Sequence, residues 1–101
     1  MTLRCIFTEK AQADLQAIID YSLKRWGGPL TLRYIDRVEA RVEWLAANPS
    51  VGLPRDELLA GVKSFPEGQH LIYYMTDAAQ LIVLRVKHQS ADELDETGLS
   101  Q

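Results

Sequence analysis

Residues 61–88 read GVKSFPEGQHLIYYMTDAAQLIVLRVKH, and how this stretch divides into strands decides the fold. Residues 62–65 are short and rich in β-formers. Pro66-Glu67-Gly68 follows, with a glycine free to take positive φ, so the chain is expected to reverse there. Residues 69–76 form a second strand, in which Tyr73 and Tyr74 must point to opposite faces because side chains alternate. Asp77-Ala78-Ala79 turns the chain again. Residues 80–88 form a third strand. Its Leu81-Ile82-Val83-Leu84 run is apolar on both faces, which places it inside the sheet. Arg85 is the one charge between Leu81 and Val86. It reads either as the partner of an acid at the sheet rim or as a fixed positive charge on an open, ligand-binding sheet face.

Upstream, residues 50–60 hold Gly52-Leu53-Pro54 without periodicity and are expected as a loop crossing the domain. Two helical stretches precede it. In the second, Thr31, Ile35, Val38, Val42 and Leu45 recur at steps of four and three, a seam suited to packing along another helix. Arg33, Asp36, Arg37, Arg41 and Glu43 lie opposite. Pro29 suits the first turn, and Asn48-Pro49 stops the helix. Trp44 falls one step off the seam beside Arg41, and reads either as the edge of the core or as an exposed anchor for a partner. In the first helix, Ala11, Leu15, Ile18, Ile19, Ser22 and Trp26 share a face. Trp26 closes that face and is expected in the core. Thr8 is the N-cap, Glu9 an acid in the first turn, and Gly27-Gly28 the end. So short a connection predicts an antiparallel hairpin. Residues 3–7 form the opening strand. The order β-α-α-β-β-β predicts an α+β domain, an antiparallel helix hairpin packed on a mainly antiparallel sheet. Residues 1–101 are expected as one domain, with the polar, acidic residues 91–101 as a partly disordered tail in which 91–94 could start a short helix.

Hydrophobic residues at 47% and charged residues at 25% are the proportions of an ordinary globular domain. Eleven Lys and Arg against fourteen Asp and Glu give 11 − 14 = −3, which argues against binding nucleic acid by bulk attraction. A basic patch around Arg55, Lys63, Arg85 and Lys87 could still sit within that total. The lone Cys5 excludes an internal disulfide and reads as a small buried hydrophobe. His70 and His88 lie on different strands, and C-x-x-C, H-x-x-x-H, Walker, G-x-G-x-x-G and G-x-S-x-G patterns are absent. No metal and no cofactor is therefore expected. No apolar run is long enough to cross a membrane, and the first residues reach Glu9-Lys10 too soon for a signal peptide. A cytoplasmic protein without membrane contact is expected.

The order of these features resembles a family. Thr8-Glu9-Lys10-Ala11-Gln12-Ala13-Asp14-Leu15 leading to Ile18-Ile19-Asp20-Tyr21, then Arg25-Trp26-Gly27, looks like the opening of ParE-type toxins of the RelE/ParE superfamily. The likeness continues through Ala46-Ala47-Asn48-Pro49, Gly52-Leu53-Pro54-Arg55-Asp56-Glu57-Leu58 and residues 62–74. It ends in Val83-Leu84-Arg85-Val86-Lys87-His88. The resemblance implies a toxin of a type II toxin–antitoxin system that blocks DNA gyrase and replication, as in plasmid stabilisation. It implies neutralisation by a ParD-type antitoxin, whose C-terminal segment folds across the toxin and whose N-terminal half binds DNA; the toxin would meet DNA only through it. On that footing Trp44, Arg55, Tyr73, Arg85, Lys87 and His88 are the expected antitoxin- or target-binding residues, and no residue is catalytic.

RelE-type relatives of the same fold instead cut messenger RNA on the ribosome, with Arg, Lys and Tyr on the last strands and the tail. Here Gln89-Ser90-Ala91-Asp92-Glu93 follows the last strand without Arg or Tyr, and the chain is acidic, both of which favour the gyrase-directed branch. Many ParE-type chains carry a basic pair after the final histidine, where this one has Gln89-Ser90. A third reading is therefore a toxin remnant that acts in antitoxin binding and operon autorepression.

Overall fold

The computed structural model describes residues 2–90. Arg4–Phe7 form β1. Thr8 then leads into α1, Glu9–Trp26, with extended backbone (φ −66°, ψ 166°), and its Oγ1 accepts the Ala11 N–H at 3.1 Å. That bond satisfies one of the donors a helix start leaves unpaired. Gly27 alone separates α1 from α2, Gly28–Ala47. At its φ of +83° a Cβ would be strained. Its N–H donates to the Leu23 carbonyl (3.1 Å), and its own carbonyl accepts from the Thr31 Oγ1 at 2.9 Å. One glycine thus ends the first helix and caps the second.

Leu53–Pro54 (β2), Lys63–Glu67 (β3), His70–Thr76 (β4) and Gln80–His88 (β5) join β1 in one sheet of order β1-β5-β4-β3-β2. β1 runs parallel to β5, and the remaining pairs are antiparallel. The mainly antiparallel α+β architecture is the expected one, and β5 lies inside the sheet. Two boundaries differ from expectation. Residues 50–60 are not all loop, because β2 pairs Leu53 with Ser64 and Pro54 with Lys63. Two residues carry no period to detect, and Pro54, lacking an N–H, is tolerated at an edge. Pro66 and Glu67 belong to β3, so the reversal moves on to Gly68-Gln69, with Glu67 opposite His70. Gly68 takes φ +58°, as the first position of a tight two-residue hairpin requires.

The helices cover one face of the sheet. Ala11 and Ile18 of α1 and Val38, Val42, Leu45 and Ala46 of α2 close on Ile72, Tyr74, Leu81, Val83 and Val86. Each Val- or Leu-sized side chain buried there contributes about 1.5–3 kcal/mol, which holds the hairpin on the sheet. On the other face Leu58 and Val62, from the segment after β2, cover Tyr73 and Leu84. Tyr73 and Tyr74 do take opposite faces. Leu84 reaches its face through a bulge, since pairing steps from Tyr74–Val83 to Tyr73–Arg85 and leaves Leu84 over.

β1 ends opposite Val83, and α1 takes over the edge of β5 from there. The Thr8 N–H donates to the Val83 carbonyl (3.1 Å) and Thr8 Oγ1 to the Leu84 carbonyl (3.0 Å). Asp14 Oδ2 accepts the Val86 N–H at 3.0 Å. Trp26 is not in the core but 49% exposed. Burial along α1 stops at Ser22, and its last turn, Leu23 to Trp26, is exposed. No helix among the described residues is long and apolar enough to cross a membrane. The expected tail, 91–101, lies outside the described residues.

Candidate functional site

A groove of about 940 Å³ opens where the helix hairpin faces the Gly68-Gln69 turn and the adjoining ends of β4 and β5. Its two walls differ in chemistry. The hairpin presents the exposed apolar side chains Tyr21, Trp26 and Leu30, with Tyr21 and Trp26 edge to face at 6.0 Å. The strand ends present His70, Lys87 and His88. Arg25, Arg33 and Arg37 complete the lining from the helices.

Antiparallel register sets His70 opposite His88, with ring centroids 5.3 Å apart. Tyr34 reaches this pair from α2. Its hydroxyl donates to the Glu67 carbonyl (2.9 Å) and lies 2.5 Å from His70 Nδ1. A phenol has one proton, so with that proton on the carbonyl, His70 Nδ1–H is the donor to Tyr34 and Nε2 is left unprotonated. Burial lowers the His70 pKa from its ordinary value, and the neighbouring His88 lowers it further against a smaller opposite pull from Asp14. His70 is therefore uncharged at neutral pH. Burial also raises the Tyr34 pKa, keeping the phenol neutral. His88 Nδ1 accepts the Ser90 N–H at 3.1 Å, which leaves its Nε2–H to donate to Gln69 Oε1 at 3.2 Å.

Two ion-pair clusters brace this wall. Asp14 accepts Arg85 Nε on Oδ2 at 2.7 Å and Arg85 Nη2 on Oδ1 at 2.9 Å, besides the Val86 N–H. The nearly buried Glu67 accepts Arg37 at 2.8 Å and Arg41 at 3.0 Å, pinning α2 to the end of β3. Tyr34 and His70 are engaged with each other and with backbone. The groove offers cations and apolar surface, which suits an acidic, amphipathic ligand. Among the described residues no three His, Cys, Asp or Glu side chains are grouped to hold a metal.

Of the six expected binding residues, the structure brings Lys87 and His88 together in the groove. Arg85 lies beneath it, bound to Asp14, so the acid-partner reading is the one the geometry bears out. Trp44 is 39% exposed, tilted against Phe65 at 5.4 Å with the Arg41 guanidinium 4.8 Å above it, which is the core-edge reading. Arg55 pairs with Glu57 at 2.8 Å and stands 5.6 Å over Tyr73, whose ring is buried in the cluster on the opposite sheet face. The basic patch expected around Arg55, Lys63, Arg85 and Lys87 is accordingly divided between faces. Tyr34, Arg33, Tyr21 and Leu30 escaped the sequence. A usable signal existed for the first: Tyr34, Arg37 and Arg41 recur at steps of three and four on one helix face.

Comparison with known proteins gives consistent matches. A family model described as ParE toxin of type II toxin-antitoxin system, parDE, matches residues 5–93. Toxin ParE1 of Caulobacter vibrioides is 34% identical over 83 residues, 82% of this chain and 85% of that protein. A structure of the chromosomal ParDE TA system from P. aeruginosa superposes with a TM-score of 0.73 at 23% identity, covering 86% of this chain and 96% of that one. A crystal structure of the toxin–antitoxin complex RelBE2 from Mycobacterium tuberculosis superposes with a TM-score of 0.65 at 27% identity, covering 88% and 100%.

Proposed function

The chain belongs to the ParE toxin family of type II toxin–antitoxin systems, and from that membership we propose that it inhibits DNA gyrase by binding and is neutralised by a ParD-type antitoxin. The carrying observation is the family match over residues 5–93, nearly the whole domain. The groove supports the antitoxin half of this reading. A segment that folds on binding must bury apolar surface to offset its ordering cost, and Tyr21, Trp26 and Leu30 offer that surface beside Arg25 and Arg33. On this reading the toxin works in the cytoplasm and meets DNA only through the antitoxin.

The juxtaposition of Tyr34, His70, Lys87 and His88 favours a second reading, ribosome-dependent cleavage of messenger RNA, because that chemistry needs a base, an acid and a cation around one phosphate. It is the weaker of the two, since the Tyr34 proton is already committed to the Glu67 carbonyl.

The deciding experiment adds purified chain to a gyrase supercoiling assay. Supercoiling should fall with toxin concentration and recover when antitoxin is added. Unaltered supercoiling at saturating, correctly folded toxin overturns the proposal. Messenger RNA cut at codons on induction, and abolished by His70→Ala, would select the ribonuclease. Harmless expression with tight antitoxin binding would select the remnant.

A further inference from the structure

Three arginines recur at one-turn steps along α2: Arg33, Arg37 and Arg41. At a helical rise of about 1.5 Å per residue they stand about 6 Å apart, in a row about 12 Å long. The acids of the same helix, Asp36, Glu39 and Glu43, lie roughly 100° or more around it from Arg37. Cations and acids of α2 are thus on separate faces, a segregation that the total charge conceals. Arg33 and Arg37 are exposed, and Arg41 is partly so.

The row is held from beneath. The nearly buried Glu67 accepts Arg37 Nη2 at 2.8 Å and Arg41 Nε at 3.0 Å. Aromatic rings support the same two side chains, with Arg41 4.8 Å from the Trp44 centroid and Arg37 5.8 Å from that of Tyr34. A guanidinium has five N–H donors, so each of the two gives one to Glu67 and keeps four for a ligand. Arg33 makes no ion pair among the described residues. One carboxylate against three guanidiniums leaves 3 − 1 = +2 along the row. Arg25 and Lys87 in the adjoining groove extend the positive field. Guanidiniums fixed in this way lose little freedom on meeting a ligand, and they take phosphate oxygens two at a time.

We propose that this row binds the phosphate backbone of duplex DNA, a contact of its own beyond the one that the functional reading routes through the antitoxin. A duplex carries a charge about every 3.4 Å along each strand, so a row of about 12 Å lies beside about three phosphates. The indole at the end of the row, Trp44, has Arg41 above it and Phe65 tilted against it, and so is not free to stack an unpaired base. That argues for a duplex over a single strand. An acidic protein segment needs apolar contacts among its charges, and the apolar wall of Tyr21 and Trp26 belongs to α1, to one side of the row. That the duplex is DNA and not RNA rests on the functional reading; phosphate binding by the row does not.

The test titrates the full chain into a fluorescent DNA duplex of about 20 base pairs and follows anisotropy at rising salt. At low salt the dissociation constant should be on the order of 10 μM, and its logarithmic salt slope should correspond to about three phosphates. Arg33→Gln, which breaks no ion pair, should weaken binding about fivefold and reduce the slope by about one, and Arg33→Lys should restore both. Lys24→Gln removes the same charge from an exposed position of α1 outside the groove and should leave binding unchanged. Absence of duplex binding at low salt overturns the proposal, and so does an equal loss with Arg33→Gln and Lys24→Gln. Tighter binding of duplex RNA or of single-stranded DNA of the same sequence also overturns it. Arg33→Gln that weakens the antitoxin complex and leaves DNA binding intact assigns the row to a protein partner, with the same consequence. No gyrase is present. Supercoiling inhibited by a chain that does not bind DNA sinks this inference alone, whereas DNA binding without inhibition sinks the gyrase reading alone.

Discussion

Asp14 carries three hydrogen bonds on one carboxylate, two from Arg85 and one from the Val86 backbone. Removing it takes two charge-assisted bonds from a largely buried guanidinium and one from the Val86 N–H at the edge of β5 that α1 covers. Asp14→Ala should therefore cost about 3 kcal/mol, read as a lowered urea midpoint without loss of the folded baseline. His70 makes a pH prediction at the same scale. Its folded pKa lies below the unfolded value of about 6.5, so as pH falls the unfolded chain takes up the proton first. The stability tied to neutral His70 is fully present above pH 6.5 and is lost as pH falls through the folded value. The unfolding midpoint should drop from pH 7 to pH 5, and His70→Gln should flatten that drop; an unchanged slope would contradict it. Neither residue's role was legible in the sequence. Asp14 reads as one polar position on a helix, and its partner lies 71 residues away.

At the level of elements, local signals served well where the chain has a period. Of the α2 seam, Thr31, Val38, Val42 and Leu45 are buried as the spacing requires, and Ile35 packs against the core partly buried. The interior place of β5 followed from an apolar run on both faces. The signals failed at edges. A helical seam does not reveal where its burial ends, so Trp26 continues the pattern of α1 yet is exposed. The two-residue β2 is too short for any alternation. The β3–β4 turn yields a prediction here. A Cβ on Gly68 would lie 2.6 Å from Tyr34 Cε1, at a φ of +58° that opposes any side chain. Gly68→Ala should cost about 1–3 kcal/mol. Because Tyr34 must give way, the same substitution should move the His70 titration measured by NMR.

For the molecule as a whole, the −3 charge acquires a different meaning from its first one. It is the sum of +1 over residues 1–90 and −4 over residues 91–101, so the total does not describe the charge around the groove. The preference for gyrase therefore rests on family membership and on the engaged Tyr34–His70 pair, and no longer on net charge. The exposed hairpin end supplies the matching prediction. Trp26 contributes little to the core, so Trp26→Ala should change folding stability by no more than about 0.5 kcal/mol. If the groove receives the antitoxin, the same change should weaken that complex by about 2 kcal/mol, near thirtyfold, in a titration. Equal losses in both measurements would show Trp26 to be structural.

The order of elements apart from β2, the helix hairpin, the mainly antiparallel sheet and the family were determined by the amino-acid sequence alone, because each rests on local periodicity or on motifs in a fixed order. Which polar groups meet was decided only by the tertiary structure. The Tyr34–His70–His88 cluster depends on the register of β4 against β5 and on a side chain arriving from α2. The Arg85–Asp14 pair forms past a bulge at Leu84 and beyond the end of β1. Register, bulges and strand ends are set by the sum of many packing contacts, and no single stretch of sequence carries that sum.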